Sequence, residues 1–94
     1  MKYAVFLQGE NYEIPTNEKT KHVGFFVTKV VDASNKISAE EQAMVLVGKD
    51  PQIIKAIAMS DGIEPTLEVK VVHELLHESR MKHTTYTYFP MEEE

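Results

Sequence analysis

Hydrophobic and polar positions in the first third of the chain follow the pattern of two β-strands. Residues 3–14 begin with β-branched and aromatic side chains, which suit a pleated, half-buried surface, and Gly9 is a position for a bulge. Residues 22–31 carry the strongest strand signal in the chain, and residues 15–21 before them are polar and turn-like. Two strands joined by a short polar loop predict an antiparallel hairpin over residues 2–31.

The middle of the chain has the hydrophobic spacing of helices. Ser38 is followed three residues later by Glu41, the spacing of a capping box, so we expect the first helix to begin at Ser38. Gly48 is expected to end it, and Asp50 followed by Pro51 is typical of a new helix start. The apolar faces are expected to contain Ala39, Ala43, Met44, Leu46 and Val47 in the first segment and Ile53, Ile54, Ile57 and Ala58 in the second. The pattern predicts a helical block over residues 38–60, as one broken helix or as two helices.

The last third of the chain returns to strand patterns. Residues 66–71 alternate, with Leu67, Val69 and Val71 on one side and polar residues between them. Residues 84–89 form a second strand by composition, which Pro90 stops. We therefore expect a second hairpin over residues 66–90 and an acidic tail over residues 91–94.

The predicted element order, strand-strand-helix-strand-strand, is typical of the α+β class. It predicts a single domain over residues 1–94, in which a four-stranded antiparallel sheet carries a broken helix on one face. Both faces of this sheet would carry large apolar residues, although the helical block can cover only one of them. The uncovered set consists of Phe6, Phe26, Val30, Val72 and Phe89. Burial of this set against a second copy predicts a symmetric homodimer.

Composition narrows the classes of function. The chain has 94 residues, no cysteine and a formal net charge of −5, which excludes disulfides, a thiolate nucleophile and cysteine-ligated metal sites. The acidic balance disfavours general nucleic-acid binding, for which phosphate contacts require a basic face. A local basic cluster at the first hairpin keeps nucleic-acid binding as a third hypothesis, and it consists of Lys19, Lys21, His22 and Lys29. No signal-peptide core and no apolar run of membrane-spanning length is visible, so we expect a cytoplasmic protein without a membrane partner.

One segment matches a catalytic motif. His73, Glu74 and His77 form the pattern H-E-x-x-H, in which two histidines four apart on a helix bind one zinc ion and the glutamate serves as general base. With His83 six residues further on, the segment resembles the longer signature of the metzincin zinc proteases. The resemblance implies zinc ligation by all three histidines, with Glu74 as the base. The glycine that makes the sharp turn before the third histidine of that signature is Arg80 here.

The zinc hypothesis depends on the secondary structure of residues 73–78. On a strand, histidines four apart are separated by ~13 Å, which is too far for two bonds of ~2.0 Å to one ion, whereas on a helix roughly 6 Å separates them. No breaker residue separates the alternation that begins after Pro65 from His77, so one long strand is the simpler interpretation. A switch from strand to helix after Val72 stays open.

Features of residues 3–59 occur in an order and spacing that resembles small bacterial proteins of unassigned function. These features are the run Tyr-Ala-Val-Phe-Leu-Gln-Gly-Glu-Asn-Tyr, the run Gly-Phe-Phe-Val-Thr-Lys, a Glu-Glu-x-Ala helix and the pair Asp50 and Pro51. The resemblance implies a compact α+β domain and contributes no known activity. The first hypothesis is therefore a non-enzymatic, dimeric domain without cofactor that binds a protein or a small ligand. The alternative is a zinc-dependent hydrolase that uses residues 73–77.

Overall fold

The computed structural model describes residues 1–15, 20–58, 64–76 and 79–90. Its elements are β1 (Lys2–Pro15), β2 (Thr20–Asp32), α1 (Lys36–Gly48), α2 (Pro51–Ala58), β3 (Thr66–Glu74) and β4 (Thr87–Pro90). The four described strands form one antiparallel sheet in the order β3-β1-β2-β4. The chain is therefore an α+β protein, as its hydrophobic pattern predicts. The predicted first turn at residues 16–19, the end of the helical block at 59–60 and the acidic tail at 91–94 lie outside the described residues.

The pairing of the strands confirms the first predicted hairpin and corrects the second. β1 and β2 pair from Lys2 opposite Asp32 to Pro15 opposite Thr20. β3 pairs with β1 and β4 pairs with β2, so the last two strands occupy opposite edges of the sheet and do not contact each other as a hairpin. The predicted hairpin over residues 66–90 is thus wrong. After β1 and β2 pair with each other, each of them keeps one unpaired edge. Residues 75–86, which connect β3 to β4, are numerous enough to span the distance from the edge of β1 to the edge of β2.

An irregularity in β3 decides which of its side chains face the core. Phe6 of β1 lies opposite Val71, and the next residue, Leu7, lies opposite Val69, so Lys70 is an extra residue in β3. This bulge interrupts the alternation of sides along the strand. As a result Val69 and Val72 both pack against the buried core, whereas uninterrupted alternation would place them on opposite sides. The placement of Val72 on the uncovered side of the sheet, expected from the sequence, is therefore wrong.

The core lies between one side of the sheet and both helices. It is a cluster formed by Tyr3, Val5, Leu7 and Tyr12 of β1, Phe25, Val27 and Val31 of β2, Ala33, Ala39, Ala43 and Val47 of α1 and the segment before it, and Ile53 and Ala56 of α2. Helix α1 buries only small residues at a spacing of four, which allows its backbone to approach the sheet closely. Met44 and Leu46, expected on the buried face, are 40% exposed, and Ile54 and Ile57 of α2 are 52% and 46% exposed.

Helix α1 begins earlier than the capping-box pattern predicts. Its N-cap is Asn35, which has an extended backbone and accepts a hydrogen bond from the backbone N–H of Ser38 at 2.8 Å. Ser38 therefore lies in the first turn, and Ile37 before it is 70% exposed on the helix surface. Asn and Ser are equally good N-caps, so the sequence offers two starts three residues apart, and the chain uses the first. Neither described helix is long and apolar enough to cross a membrane.

Candidate functional site

An apolar surface lies on the side of the sheet that faces away from the core. We call it the open face and define it by Phe6, Phe26, Val30, Val71 and Phe89. Alternation places Phe6 on this side because its neighbours Val5 and Leu7 are buried, and it places Phe26 there because Phe25 and Val27 are buried. Phe26 remains 49% exposed and Val71 is 44% exposed. Four of the five residues expected at an interface lie here, and Val71 takes the place expected for Val72.

Aromatic contacts order the open face. Phe89 lies opposite Gly24 in the β2–β4 register, and its ring covers the space that a β-carbon at Gly24 would fill. The Phe89 and Phe26 rings are 5.0 Å apart between centroids. Across the sheet, Phe6 meets the imidazole of His73 edge to face at 5.9 Å. These pairs hold large rings in place on the side of the sheet opposite the two described helices.

A shallow cavity of about 300 Å³ opens between the rings of the open face. Its walls include Phe6, Phe26, Thr28, Lys70, Thr84 and Thr87. The charge nearest to it is neutralised, because the Lys70 ammonium lies 2.7 Å from the Glu68 carboxylate. This ion pair raises the pKa of Lys70 and lowers the pKa of Glu68. A depression with apolar walls and a paired charge at its rim suits an apolar side chain from another molecule.

The segment before β4 closes the outer edge of β2 with side chains. His83 Nδ1 accepts a hydrogen bond from the Val30 backbone N–H at 2.9 Å, and Thr84 Oγ1 accepts one from the Thr28 N–H at 2.9 Å. The Thr84 backbone N–H donates in turn to the Thr28 carbonyl oxygen at 3.0 Å. Edge strands with free N–H groups promote uncontrolled pairing with other chains, and these contacts remove two such groups. His83 therefore has a structural partner, which the zinc-motif pattern does not anticipate.

The first two residues of the predicted zinc motif lie on a strand and not on the helix that metal binding requires. His73 and Glu74 end strand β3, and the Leu75 N–H continues the ladder by donating to the Lys2 carbonyl oxygen at 2.8 Å. His77 lies outside the described residues. His73 lies on β3, at one edge of the sheet, whereas His83 binds the backbone of β2 on the edge that faces away from β1. Two strand spacings of ~4.8 Å therefore lie between the two histidines. Over the described ranges, no cluster of three potential metal ligands is present.

A polar cleft lies on the helix side of the sheet, and no sequence pattern indicates it. We call it the polar cleft and define it by Lys29, Asp50, Gln52, Tyr86 and Tyr88; its volume is about 510 Å³. Lys29 projects from β2, and its ammonium lies over the Tyr86 ring, 5.4 Å from the centroid. Asp50 precedes α2, and its carboxylate caps the helix by accepting from the Gln52 N–H at 2.9 Å. The sequence predicts this cap, but only the fold brings residues 29 and 86 beside it.

The two tyrosines of the polar cleft have contrasting hydroxyl groups. The Tyr88 hydroxyl donates to Gln52 Oε1 at 3.2 Å. The Tyr86 hydroxyl is buried and has no close hydrogen-bond partner among the described residues, although the Asp50 carboxylate lies near enough to act on it as an acceptor. Burial, followed by the neighbouring Asp50 carboxylate, raises the pKa of Tyr86, and the same two causes raise that of Tyr88. Both phenols are therefore neutral.

The basic cluster expected to bind nucleic acid is only partly described. The side chains of Lys19, Lys21 and His22 lie outside the described part of the chain. Lys29 is directed to the Tyr86 ring on the helix side of the sheet and belongs to the polar cleft. The prediction of one basic surface from these four positions therefore lies outside the described residues.

A second apolar surface lies on the helices. Its exposed residues are Ile37, Met44, Val45, Leu46, Ile54 and Ile57. It arises because α1 buries alanines and a valine and leaves its larger residues outside. Several of these residues are exposed to about the same extent as Phe26 on the open face.

Comparison of the chain with protein-family models, with curated proteins and with solved structures gave no match.

Proposed function

We propose that this protein is a non-enzymatic interaction domain that forms a homodimer through the open face. The observation that carries the proposal is the exposure of aromatic rings on a sheet face over which the described residues place no helix. Phe26 is half exposed although its ring lies against that of Phe89, so the described residues leave this pair open to burial by another molecule. Burial of apolar surface contributes ~25 cal/mol per Å², which makes such rings the main source of association energy.

The size of the open face predicts how tight the dimer is. Four strands at ~4.8 Å and roughly seven residues at ~3.3 Å give about 19 by 23 Å, or ~440 Å² per copy. Two copies would bury roughly 900 Å² in total, which is close to the lower limit for specific interfaces. The proposed dimer is therefore weak and depends on concentration, with a dissociation constant in the micromolar range or above.

A second copy is the occupant that best fits this surface. Two twisted sheets pack face to face about 10 Å apart, and a two-fold axis places the aromatic rings of one copy against those of the other. The charged residue at the rim, Lys70, is already paired with Glu68, so a second copy does not bring an unpaired charge into the contact. The net charge of −5 on each copy opposes association at low salt. Added salt screens this repulsion, and we expect it to strengthen the dimer.

The test compares Phe26→Asp with Ile54→Asp. The two residues have similar exposed fractions, 49% and 52%, but Phe26 lies on the open face and Ile54 on the helices. Aspartate is tolerated at position 54 because it lies in the first turn of α2, where the helix dipole favours a negative charge. Sedimentation velocity from micromolar to millimolar concentration should show dimerisation of the wild type and of Ile54→Asp, but not of Phe26→Asp. A wild type that stays monomeric over this range overturns the proposal, and the loss of dimer only in Ile54→Asp would assign the interface to the helices.

The zinc-hydrolase alternative gains no support from the described residues. Its first histidine and its proposed base lie on a strand, and His83 uses its Nδ1 lone pair for a backbone N–H. This alternative is tested by measuring the zinc affinity of the wild type and of a Glu74→Gln variant, together with the hydrolase activity of both. Tight zinc binding by the untagged chain would return attention to residues 73–77.

A further inference from the structure

The two edges of the sheet differ in what they offer to another chain. At one edge β4 is short, and His83 and Thr84 close the adjoining part of β2 with side chains. At the other edge lies β3, which is 9 residues long. Among the described residues no strand pairs with the outer side of β3. Its outward N–H and C=O groups are therefore open to a strand of another molecule.

The pairing of β3 with β1 shows which of its backbone groups point outward. The Leu75 N–H donates to the Lys2 carbonyl oxygen, and along an antiparallel ladder every second residue then bonds to β1. The extra residue, Lys70, shifts this alternation by one position. The residues that direct their N–H and C=O groups away from β1 are therefore Leu67, Val69, Val72 and Glu74.

This outward spacing is irregular, so a strand matches all of it only if it has the same irregularity. A regular strand presents its groups at every second residue and can pair on one side of Lys70 only. A second copy of β3 in antiparallel orientation removes this mismatch. When Val69 lies opposite Val72 of the other copy, Leu67 lies opposite Glu74, and all four outward residues of both copies are paired. The bulge thus selects a second copy as the partner of this edge.

The side chains of β3 suit this register on both sides of the sheet. Val69 and Val72 are partly buried against the core, and each would be covered further by the other residue of the second copy. Glu68 lies opposite His73, and no two like charges lie directly opposite each other. The two Lys70 side chains come near the two-fold axis, and each is neutralised by its own Glu68 carboxylate at 2.7 Å.

We propose that β3 joins two open-face dimers edge to edge into a tetramer, in which the four-stranded sheets of two copies continue as one. The proposal rests on the open-face dimer, because hydrogen bonds that replace bonds to water contribute little each, and one edge contact alone is weak. A two-fold axis of the open-face dimer that crosses the strands places both β3 edges on the same side. Two dimers then make both edge contacts together, and the second contact forms at a high effective concentration. The assembly closes with perpendicular two-fold axes, as is common among tetramers.

The test compares Glu74→Pro with Glu74→Ala in the full chain. Glu74 is exposed and its N–H points outward, so proline there removes a donor of the outer edge and none of the bonds to β1. Alanine removes the same side chain and keeps the N–H. In sedimentation velocity up to millimolar concentration, the wild type and Glu74→Ala should proceed from dimer to tetramer, and Glu74→Pro should stop at the dimer. A wild type that stops at the dimer, or a tetramer in Glu74→Pro, overturns this inference and leaves the open-face dimer intact.

Amide hydrogen exchange of the wild type needs no variant and gives a second measurement. The amides of the four outward residues should exchange at least about tenfold more slowly at millimolar than at micromolar concentration. Outward amides that exchange equally fast at both concentrations contradict the edge contact. A dimer that is lost in Glu74→Pro but kept in Phe26→Asp would support the edge contact and overturn the open-face dimer instead. A wild type that is monomeric at all concentrations overturns both.

Discussion

Alanine substitution at Gly9 and Gly24 tests whether the two sides of the sheet differ in packing as the structure requires. Both glycines lie in strands beneath an aromatic ring. A β-carbon at Gly9 would lie 2.3 Å from Cε2 of Phe25, and one at Gly24 would lie 2.0 Å from Cζ of Phe89. Neither contact is compatible with the present ring positions, so each substitution must displace a ring. The difference is whether that ring has space to move.

The surroundings of the two rings set the expected magnitudes. Phe25 is fully buried and packs against Tyr12, Tyr86 and Tyr88 with centroid distances of 4.9, 5.1 and 6.3 Å. Overpacking of such a site costs ~1–3 kcal/mol. Phe89 lies on the open face and can rotate toward solvent, so Gly24→Ala should change the free energy of unfolding by less than ~0.5 kcal/mol. For a chain of 94 residues, with a total stability of roughly 5–14 kcal/mol, the effect at Gly9 is a large fraction.

Urea unfolding followed by far-ultraviolet circular dichroism measures the difference. With an m-value of ~1–3 kcal/mol per molar urea, a loss of ~1–3 kcal/mol in Gly9→Ala should lower the midpoint by roughly 1 M, and Gly24→Ala should lower it by much less. Measurement at low protein concentration keeps dimerisation from contributing. Equal midpoints for the two variants, or a larger loss in Gly24→Ala, would refute the assignment of Phe25 to a closed core and of Phe89 to an open surface.

Three further predictions concern the helices and Tyr86. Asn35→Ala should lower the free energy of unfolding by ~1 kcal/mol in urea titrations, and Ser38→Ala by much less, because Asn35 is the cap. Gly48→Ala should raise it by about 0.5–1 kcal/mol, because a β-carbon there meets nothing within 4 Å and Gly48 is the last residue of α1; a loss would indicate a close contact at this surface. The raised pKa of Tyr86 means that the folded chain holds this proton more tightly than the unfolded chain, so stability should fall as the pH rises above the ordinary value of 10.0. Tyr86→Phe should show a shallower alkaline decline in urea midpoints from pH 9 to 11, and an unchanged slope would contradict the burial of this phenol.

Local signals in the sequence are sufficient to predict the first hairpin and the two helices. The hairpin of β1 and β2 joins neighbours in sequence, and the break after Gly48 combines a glycine with an Asp-Pro helix start. The helix start is placed three residues late because Asn35 and Ser38 are chemically equivalent as caps. Which of the two residues accepts the hydrogen bond depends on where β2 ends and the chain turns toward α1.

The pairing of the last two strands depends on contacts that are distant in sequence. β3 and β4 have ordinary strand composition, and composition does not state which free edge each of them joins. The extra residue at Lys70 likewise has no signature of its own, and it alone moves Val72 from one side of the sheet to the other. The aromatic residues of β1 and β2 on the open face were predictable because no bulge interrupts their alternation between Tyr3 and Gly9 or along the facing part of β2.

The polar cleft could not be predicted from the sequence because its parts come from three separate elements. Lys29, Asp50 and Tyr86 are far apart along the chain and belong to β2, the start of α2 and the segment before β4. The H-E-x-x-H pattern, by contrast, is a specific sequence motif, but it binds zinc only on a helix. Residues 73–74 lie on a strand. Residues four apart in sequence lie close together on one face of a helix but far apart along a strand. A sequence motif therefore indicates a metal site only if its secondary structure is known.

The most direct test of the proposed dimer is a search for contacts between copies in a mixed sample. Equal amounts of ¹³C-labelled and unlabelled chain at millimolar concentration allow intermolecular nuclear Overhauser effects to be recorded selectively. A dimer through the open face should give such effects between the rings of Phe6, Phe26 and Phe89 and the side chains of the same surface on the partner. Intermolecular effects confined to Val45, Leu46, Ile54 and Ile57, or none at a concentration where sedimentation shows dimer, would contradict it.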